Sequence, residues 1–529
     1  LQRIVKKYIE EILEKEIVLE KPKDMSLGHF ATPVAFSLAK ELRKSPMIIA
    51  QDLASKFENS EMFEKVEAVK GFINFKLSNS FLQTLCEESL SLGDDFAKGE
   101  NKNEKILLEY VSANPTGPLH IGHARGAIAG DTLARVGRHL GFDITTEYYV
   151  NDAGAQMDLL GLSLALAGQE SILKQEVQYP EKYYRGDYLF DIAKDVEKEF
   201  GKEIFNDESK HKELALFAKD KVLDIIKKDM ADIGIEFDNY VSEKSLYSSW
   251  DETKSVLEKN GSLYDKDEKV WIKSTEFGDD VDRVVVRDNG IPTYLAGDII
   301  YHKNKYDRKY DKYINIWGAD HHGYITRVRA AIEFLGYDSK KLEVLLSQMV
   351  QLLKGGEPYK MSKRAGNVIL MSDISNEIGS DALRFVFLTK KSDTHLEFDL
   401  DILKNQDSSN PIFYINYAYA RINQVFKKAQ LNFDDVASES FENLNQDALN
   451  LVYESLLFPS ILEEAFSKRD MQKITDYLHS IAASVHRFYN EHKIIDSDEQ
   501  NQYLKALSLV ALTIKVALHL LGIEAKEIM

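Results

Sequence analysis

Apolar residues recur at helical spacing from the first turn of the chain. Ile4, Tyr8, Ile9, Ile12, Leu13 and Ile17 predict a helix over 2–19. A second helix is predicted over 30–44. Ser45-Pro46 opens a third, with proline at a position where its missing N–H costs little. The alternating stretch GFINFKLS, 71–78, predicts a strand, and the polar run 93–105 a linker. The pattern then changes. ILLEYV, 106–111, is a nearly continuous apolar run, as a buried parallel strand requires. A loop rich in proline and glycine follows, then a helix from Gly122 closed by Gly141, then a strand over 142–150. Strand, loop, helix and strand in that order make a βαβ unit. Residues 155–235 read mostly as amphipathic helix. The span 270–287 holds β-like runs before an Asp-Asn-Gly turn at 288–290, 313–318 is a buried strand, and 323–335 a helix. From Asn410 to Met529 nearly every segment is helical, which predicts a bundle. The expected fold class is therefore α/β: an N-terminal α+β domain over 1–100, an α/β domain over 101–404 and an all-helical bundle over 405–529.

Composition narrows the picture. A chain of 529 residues is too long for one core, and with 44% hydrophobic and 29% charged residues it is globular rather than disordered. No apolar run is expected to span a bilayer, and the mean hydropathy is −0.32. The opening stretch carries Lys and Glu throughout, unlike a signal or transit peptide; its start at Leu1 points to a missing initiator residue or short leader. The single cysteine, Cys86, excludes an internal disulfide framework and a multi-thiolate zinc site, so a reducing cytoplasmic setting is expected. With 67 basic and 86 acidic residues the net charge is −19, which repels nucleic acid at long range. Local basic stripes can still bind it. Candidate stripes are Lys303, Lys305, Tyr306, Arg308, Lys309, Tyr310 and Lys312, and the helical Arg421, Lys427 and Lys428; solvated faces account for both equally well.

Two segments carry candidate chemistry. The loop Asn114–His123, NPTGPLHIGH, follows the first strand of the βαβ unit and opens a helix, where unpaired N–H groups and the helix dipole favour anions. It is not a P-loop. His120 and His123 lie three apart and can face one cleft, and Gly122 leaves room for a flat ring against the backbone. Two incidental histidines, or a metal pair, are the alternatives, but no carboxylate at helical spacing completes the latter. The second segment is Lys360-Met361-Ser362-Lys363-Arg364, flanked by Gly355-Gly356 and Gly366. A basic loop of this kind can close over a polyphosphate. Taken alone, it reads better as a solvated turn.

Together, PLHIGH and KMSKR resemble the paired motifs of the class I aminoacyl-tRNA synthetases, with Arg364 where the second motif usually ends in serine. The longer string VSANPTGPLHIGHARG, 111–126, resembles the arginyl-tRNA synthetase family in particular. So do NDAGAQ at 151–156, WGADHHGY at 317–324, DALRFVFL at 381–388, NPIFYINYAYARI at 410–422 and LGHFATPVAFSLAK at 27–40. The resemblance covers nearly the whole chain. It implies a Rossmann-like catalytic domain, an additional N-terminal tRNA-binding domain and a helical anticodon-binding domain. It implies catalytic roles for His120, His123, Lys360 and Lys363, and ATP binding by Pro115, Thr116, Gly117, His120, Gly122, His123, Lys360, Met361, Ser362 and Lys363. Glu109, Ser112, Asn114, Tyr294, Asp298 and His321 would bind arginine. Taken locally, Glu109 reads better as an edge-strand residue facing water, and Asp298 as an acid in the first turn of a helix. The implied substrates are ATP, with Mg²⁺, arginine and tRNA(Arg). The expected protein is a cytoplasmic monomer with no membrane partner and no metal site of its own. A cysteine enzyme of the class would need zinc thiolates that one cysteine cannot supply. A nucleotidyltransferase using the same motif on a small molecule, with the helical domain for oligomerisation, is the rival from another class. A non-enzymatic binding module fits poorly with both motifs intact.

Overall fold

The computed structural model describes residues 1–22, 24–359 and 368–529. The chain divides into two compact units. One comprises 1–99, 406–520 and 524–529, and the other 100–405 with 521–523.

In the first unit the opening helix spans Gln2–Leu13 and stops short of its predicted end. Glu14 turns left-handed, with φ 52°, and the Glu10 carboxylate accepts the Ile17 N–H at 2.9 Å. The chain then runs back until Glu20 pairs with Ala31. The helix predicted over 30–44 is two elements. Phe30–Thr32 is a fully buried strand, antiparallel to residues 73–75, and only after Pro33 does the helix Val34–Leu42 begin. A short apolar strand just before a proline reads like a helical turn on spacing alone. Pro46 starts the next helix as expected, capped by the Ser45 hydroxyl. The helices Pro411–Ala429, Gln446–Leu456, Phe458–Ser467, Gln472–Glu491 and Gln500–Leu520 belong to this same unit. The Tyr453 hydroxyl donates to the His29 carbonyl at 3.1 Å, and their rings lie 4.5 Å apart. Lys505, fully buried, pairs with Glu87 at 2.5 Å. Contrary to the sequence expectation, Gln500–Leu520 is long and apolar enough to cross a membrane by length and composition. It is 83% buried over that stretch, as the core helix of a water-soluble unit would be.

Because the first hundred residues share a core with these helices, a chain ending at Lys404 is expected to lose its fold there. Removing the bundle uncovers His29, Phe30 and Leu82, now buried. Such a chain should go to the insoluble fraction, or bind a hydrophobic dye strongly, where the full-length protein does neither.

The second unit is built on five parallel strands: β1 (Lys105–Glu109), β2 (Asp143–Val150), β3 (Asn239–Ser242), β4 (Lys312–Gly318) and β5 (Leu342–Ser347). Their order is β5-β4-β1-β2-β3. This is the doubly wound order, in which the chain leaves β1 toward one edge and returns to build the other. Ligands bind beyond the carboxyl ends of β1 and β4, where the order reverses. β1 ends before the predicted Val111, because Val111 and Ser112 both take positive φ, 69° and 43°. Helix α1 (Ile121–His139) follows, and Gly141, at φ 90°, ends it as expected. The helical region 155–235 resolves into Ala155–Ser171, α2 (Asp187–Phe200) and His211–Asp232. The β-like runs 269–272 and 283–286 form an antiparallel ribbon with 263–266. Helix α3 (Tyr294–Asp307) then places Tyr294 and Asp298 one turn apart on one face. The helix predicted from 323 starts at Ile325, after a tight turn over Ala319–Tyr324.

Candidate active site

Two cavities open at the carboxyl ends of the strands, and the loop after β1 runs from one to the other. The larger, about 720 Å³, is lined by Thr116, Gly117, His120 and His123 among others. His120 is the N-cap of α1. Its Nδ1 accepts the Gly122 N–H at 3.1 Å, while its own N–H donates to His123 Nδ1 at 3.3 Å. The two rings stack with centroids 3.6 Å apart. Both Nδ1 atoms therefore serve as acceptors, and the proton of each neutral ring sits on Nε2. Burial lowers the pKa of both; His123, beside the His120 ring, falls to about 3. The pair offers neutral N–H donors, not cations. Gly122 has a clear reason to be glycine: a Cβ there would lie 3.0 Å from the His120 ring. The flat ring against its backbone is thus supplied by the protein itself. Pro115 is buried behind this surface and does not line the cavity.

Lys360, Met361, Ser362 and Lys363 lie outside the described residues. The chain just after them is fixed against the histidine loop. Ile121 N–H donates to the Ile369 carbonyl at 2.8 Å, and Met371 N–H to the Leu119 carbonyl at 2.9 Å. Residues 369–371 and the histidine loop are thereby joined by backbone bonds at one edge of the cavity.

The second cavity, about 310 Å³, gathers Glu109, Ser112, Tyr294, Asp298 and His321, five of the six residues expected to bind the amino acid. Asn114 instead lines the larger cavity. Asp320 is 83% exposed on its side chain. Glu109 is buried, so the reading of a strand residue facing water is wrong. It is also already engaged. The fully buried Lys305 ammonium pairs with it, and the Ser112 hydroxyl donates to it at 2.9 Å. Lys305 also donates to Asn315 at 2.8 Å. Asp298 stands differently. No hydrogen bond or ion pair reaches its carboxylate among the described residues. Burial, with Glu243 and then Glu109 nearby, pushes its pKa up to about 8, partly offset by Lys305.

Glu243 was not foreseen. It lies at the end of β3, is buried and lines this cavity. The Tyr247 hydroxyl donates to its Oε1 at 3.0 Å, but its Oε2 has no partner. Burial raises its pKa from the ordinary carboxylate value, partly offset by the Tyr247 hydrogen bond. Gly297 on α3 makes room for it, since a Cβ there would sit 2.5 Å from Oε1. In the sequence Glu243 was only an acid after a serine, the usual start of a helix. Asn151, within the NDAGAQ string, and Tyr149 line the same cavity and were also not singled out. A buried acid with one unsatisfied oxygen, Glu243, and a half-buried one without a partner among the described residues, Asp298, line one space and make a site for a cation with several donors.

The basic run 303–312 does not form an open stripe. Lys305 is interior, Lys303 pairs with Glu252 and Asp307, and Arg308 grips the buried Glu147 through two bonds. Arg421 stacks on Tyr417 and Tyr489, at 4.7 and 4.3 Å.

His302, also lining the second cavity, gives the site an acid limit. Burial and Lys305 lower its pKa to about 3, although the Asp298 carbonyl partly opposes this. The unfolded ring takes up a proton near pH 6.5 and the folded ring does not, so stability is complete above pH 6.5 and lost as pH falls toward 3. At pH 5 this ring alone accounts for about 2 kcal/mol. The urea midpoint should fall between pH 7 and 5, and less steeply in His302→Gln; equal slopes would contradict the assignment.

Known proteins share this architecture. The family "tRNA synthetases class I (R), catalytic domain" matches residues 86–450, "DALR anticodon binding domain" residues 415–529, and "Arginyl tRNA synthetase N terminal domain" residues 1–77. A protein named arginine–tRNA ligase from Aliarcobacter butzleri is 74% identical over 529 residues, covering all of both chains. One of the same name from Sulfurimonas denitrificans is 60% identical over 97% of each. The crystal structure of a Campylobacter jejuni protein described as a putative arginyl-tRNA synthetase has a TM-score of 0.83 at 56% identity, over 86% of this chain and all of that one. Thermus thermophilus arginyl-tRNA synthetase, at 19% identity, shares the fold over both full lengths with a TM-score of 0.78.

Proposed function

The chain belongs to the arginyl-tRNA synthetase family of class I, and from that premise we propose that it is an arginine–tRNA ligase whose smaller cavity holds the arginine side chain and whose larger one holds ATP. The observation that carries the reading is a pair of acids lining one cavity: half-buried Asp298, whose carboxyl has no partner among the described residues, and buried Glu243, whose Oε2 is unsatisfied. A guanidinium has five donors and no acceptor, so it satisfies two carboxylates in a way that no neutral side chain can. With its guanidinium there, arginine would extend its carboxylate along the loop 112–120 toward the histidines.

The arginine carboxylate attacks the α-phosphorus of ATP. The bond to the bridging oxygen breaks, and pyrophosphate leaves with the electron pair. Positioning and stabilisation of developing phosphate charge do most of the work. His120 and His123, neutral with Nε2–H groups, donate to phosphate oxygens. Lys360 and Lys363 would meet the leaving pyrophosphate. A ribose hydroxyl of the terminal tRNA adenosine then takes the arginyl group and AMP departs. Mg²⁺ suits the oxygen donors of Asp187 and Asp373, the carboxylates lining the larger cavity. Bound there with ATP, it would neutralise phosphate charge. The bundle over 405–529 would take the anticodon arm and the first hundred residues another part of the tRNA, with the enzyme acting as a cytoplasmic monomer.

The test is charging of bulk tRNA with labelled arginine, lysine and citrulline in separate reactions. Arginine alone should be esterified. Lysine, too short and with a single ammonium, leaves buried acceptors unpaired, and a polar site can reject such an analogue by roughly 10⁴-fold. Efficient charging with either analogue would overturn the reading.

A further inference from the structure

Part of the wall of the larger cavity comes from the segment between helix Ala155–Ser171 and α2. Tyr183, Tyr184 and Arg185 line the cavity there. This segment is fixed at both sides. The Tyr184 N–H donates to Ser163 Oγ at 2.9 Å, and the Tyr188 hydroxyl to the Thr116 carbonyl, inside the histidine loop, at 2.6 Å. Arg185 is thus held at a set place relative to Thr116 and Gly117.

Arg185 is the one cation lining this cavity among the described residues; the other formal charges there are Asp187 and Asp373. It is exposed, and none of the ion pairs among the described residues includes it. Its guanidinium lies over the Tyr183 ring, 4.6 Å from the centroid. Tyr183 in turn stacks on Tyr179 at 4.4 Å, and the Tyr179 hydroxyl donates to Glu170. The ring contact consumes none of the guanidinium's five N–H donors. A guanidinium set over an aromatic ring, with no ion-pair partner among the described residues, in a cavity with neutral histidines fits a phosphate.

We propose that Arg185 is a further substrate-contacting residue of the activation step, donating to the β- and γ-phosphates of ATP and to the pyrophosphate that leaves, with Tyr183 as its positioning residue. This rests on the reading that the larger cavity takes ATP. Arg185 would supply positive charge to the cavity that the histidines also line, and would act more strongly as the bond to the α-phosphorus breaks.

The experiment compares full-length wild type, Arg185→Ala, Arg185→Lys, Tyr183→Ala and the double variant Arg185→Ala/Tyr183→Ala. Arginine-dependent ATP–pyrophosphate exchange is measured with saturating tRNA, alongside steady-state charging. Arg185→Ala is expected to lower kcat/KM for ATP at least tenfold and to weaken inhibition by inorganic pyrophosphate. The KM values for arginine and tRNA, and the melting temperature, should stay within error of wild type. Arg185→Lys should recover only part, since an ammonium cannot make the paired contact. Tyr183→Ala should show a smaller loss that vanishes in the Arg185→Ala background, as a positioning role demands. ATP parameters within twofold of wild type would overturn the proposal. So would a raised tRNA KM with ATP unaffected, which would assign the guanidinium to a tRNA phosphate. A wild type with no arginine-dependent exchange would overturn the ATP reading itself; active wild type with an indifferent Arg185→Ala would overturn this inference alone.

Discussion

Asp298→Asn should cut kcat/KM for arginine by roughly 10²–10³-fold, a loss of about 3–4 kcal/mol, typical for truncating one side of a buried charge pair. The amide keeps one acceptor and turns two donors toward a ligand that has only donors. Steady-state charging with arginine and citrulline on both proteins is the measurement. If the variant separates the two amino acids as well as wild type does, Asp298 does not touch the guanidinium. The same carboxyl gives the reaction a pH signature. In the empty site its pKa is raised to about 8 by burial and its acidic neighbours. Arginine binds the ionised form, so below pH 8 it must displace a proton. The arginine KM should fall up to tenfold per unit as pH rises toward 8, and level off above it. For the ligand-free fold the sign is opposite. An acid with a raised folded pKa contributes stability that is complete below its unfolded value, near 4, and lost as pH rises through 8. Asp298→Asn should therefore melt higher than wild type at pH 8 while working worse, the usual relation between a binding site and its scaffold.

Lys305→Met should have the largest effect on stability. Lys305 is fully buried and Glu109 nearly so. Removing the ammonium leaves a buried carboxylate without its counter-charge, which costs about 3–5 kcal/mol. The urea midpoint should drop accordingly. The double variant Lys305→Met/Glu109→Gln should recover most of the loss, because replacing both members of a buried pair removes the uncompensated charge. If the double variant is no more stable than Lys305→Met, the loss comes from packing around the lysine stem and not from the charge.

How much of this was legible in the sequence depended on whether a signal was local. The run ILLEYV and the loop NPTGPLHIGH carry their own meaning, because an apolar strand and a polar loop opening a helix are adjacent in the chain. The βαβ unit and the histidine pair follow from them. Asp298 and Tyr294 were reached through the family resemblance, and the helix that carries them puts both on one face. Glu243 was invisible, since what brings it to the cavity is burial against Gly297, far along the chain. The fate of Glu109 was invisible for the same reason: its partner Lys305 is 196 residues away. That distance also misled the basic run 303–312, where charges that look solvated in sequence face acids from other elements. Phe30–Thr32 failed differently, as three buried residues before a proline do not declare their period.

The unsatisfied acids of the smaller cavity also bear on how this protein's stability can be measured. Guanidinium chloride, the common denaturant, is the head group of arginine in free solution. At low concentration it should occupy the space between Asp298 and Glu243, compete with arginine and favour the native chain by mass action before it unfolds anything. A guanidinium melt would then start with a rise, and a straight line extrapolated to water would overstate the stability. Urea, uncharged, has no such purchase on the site, so the two denaturants should disagree for wild type and agree for Asp298→Asn.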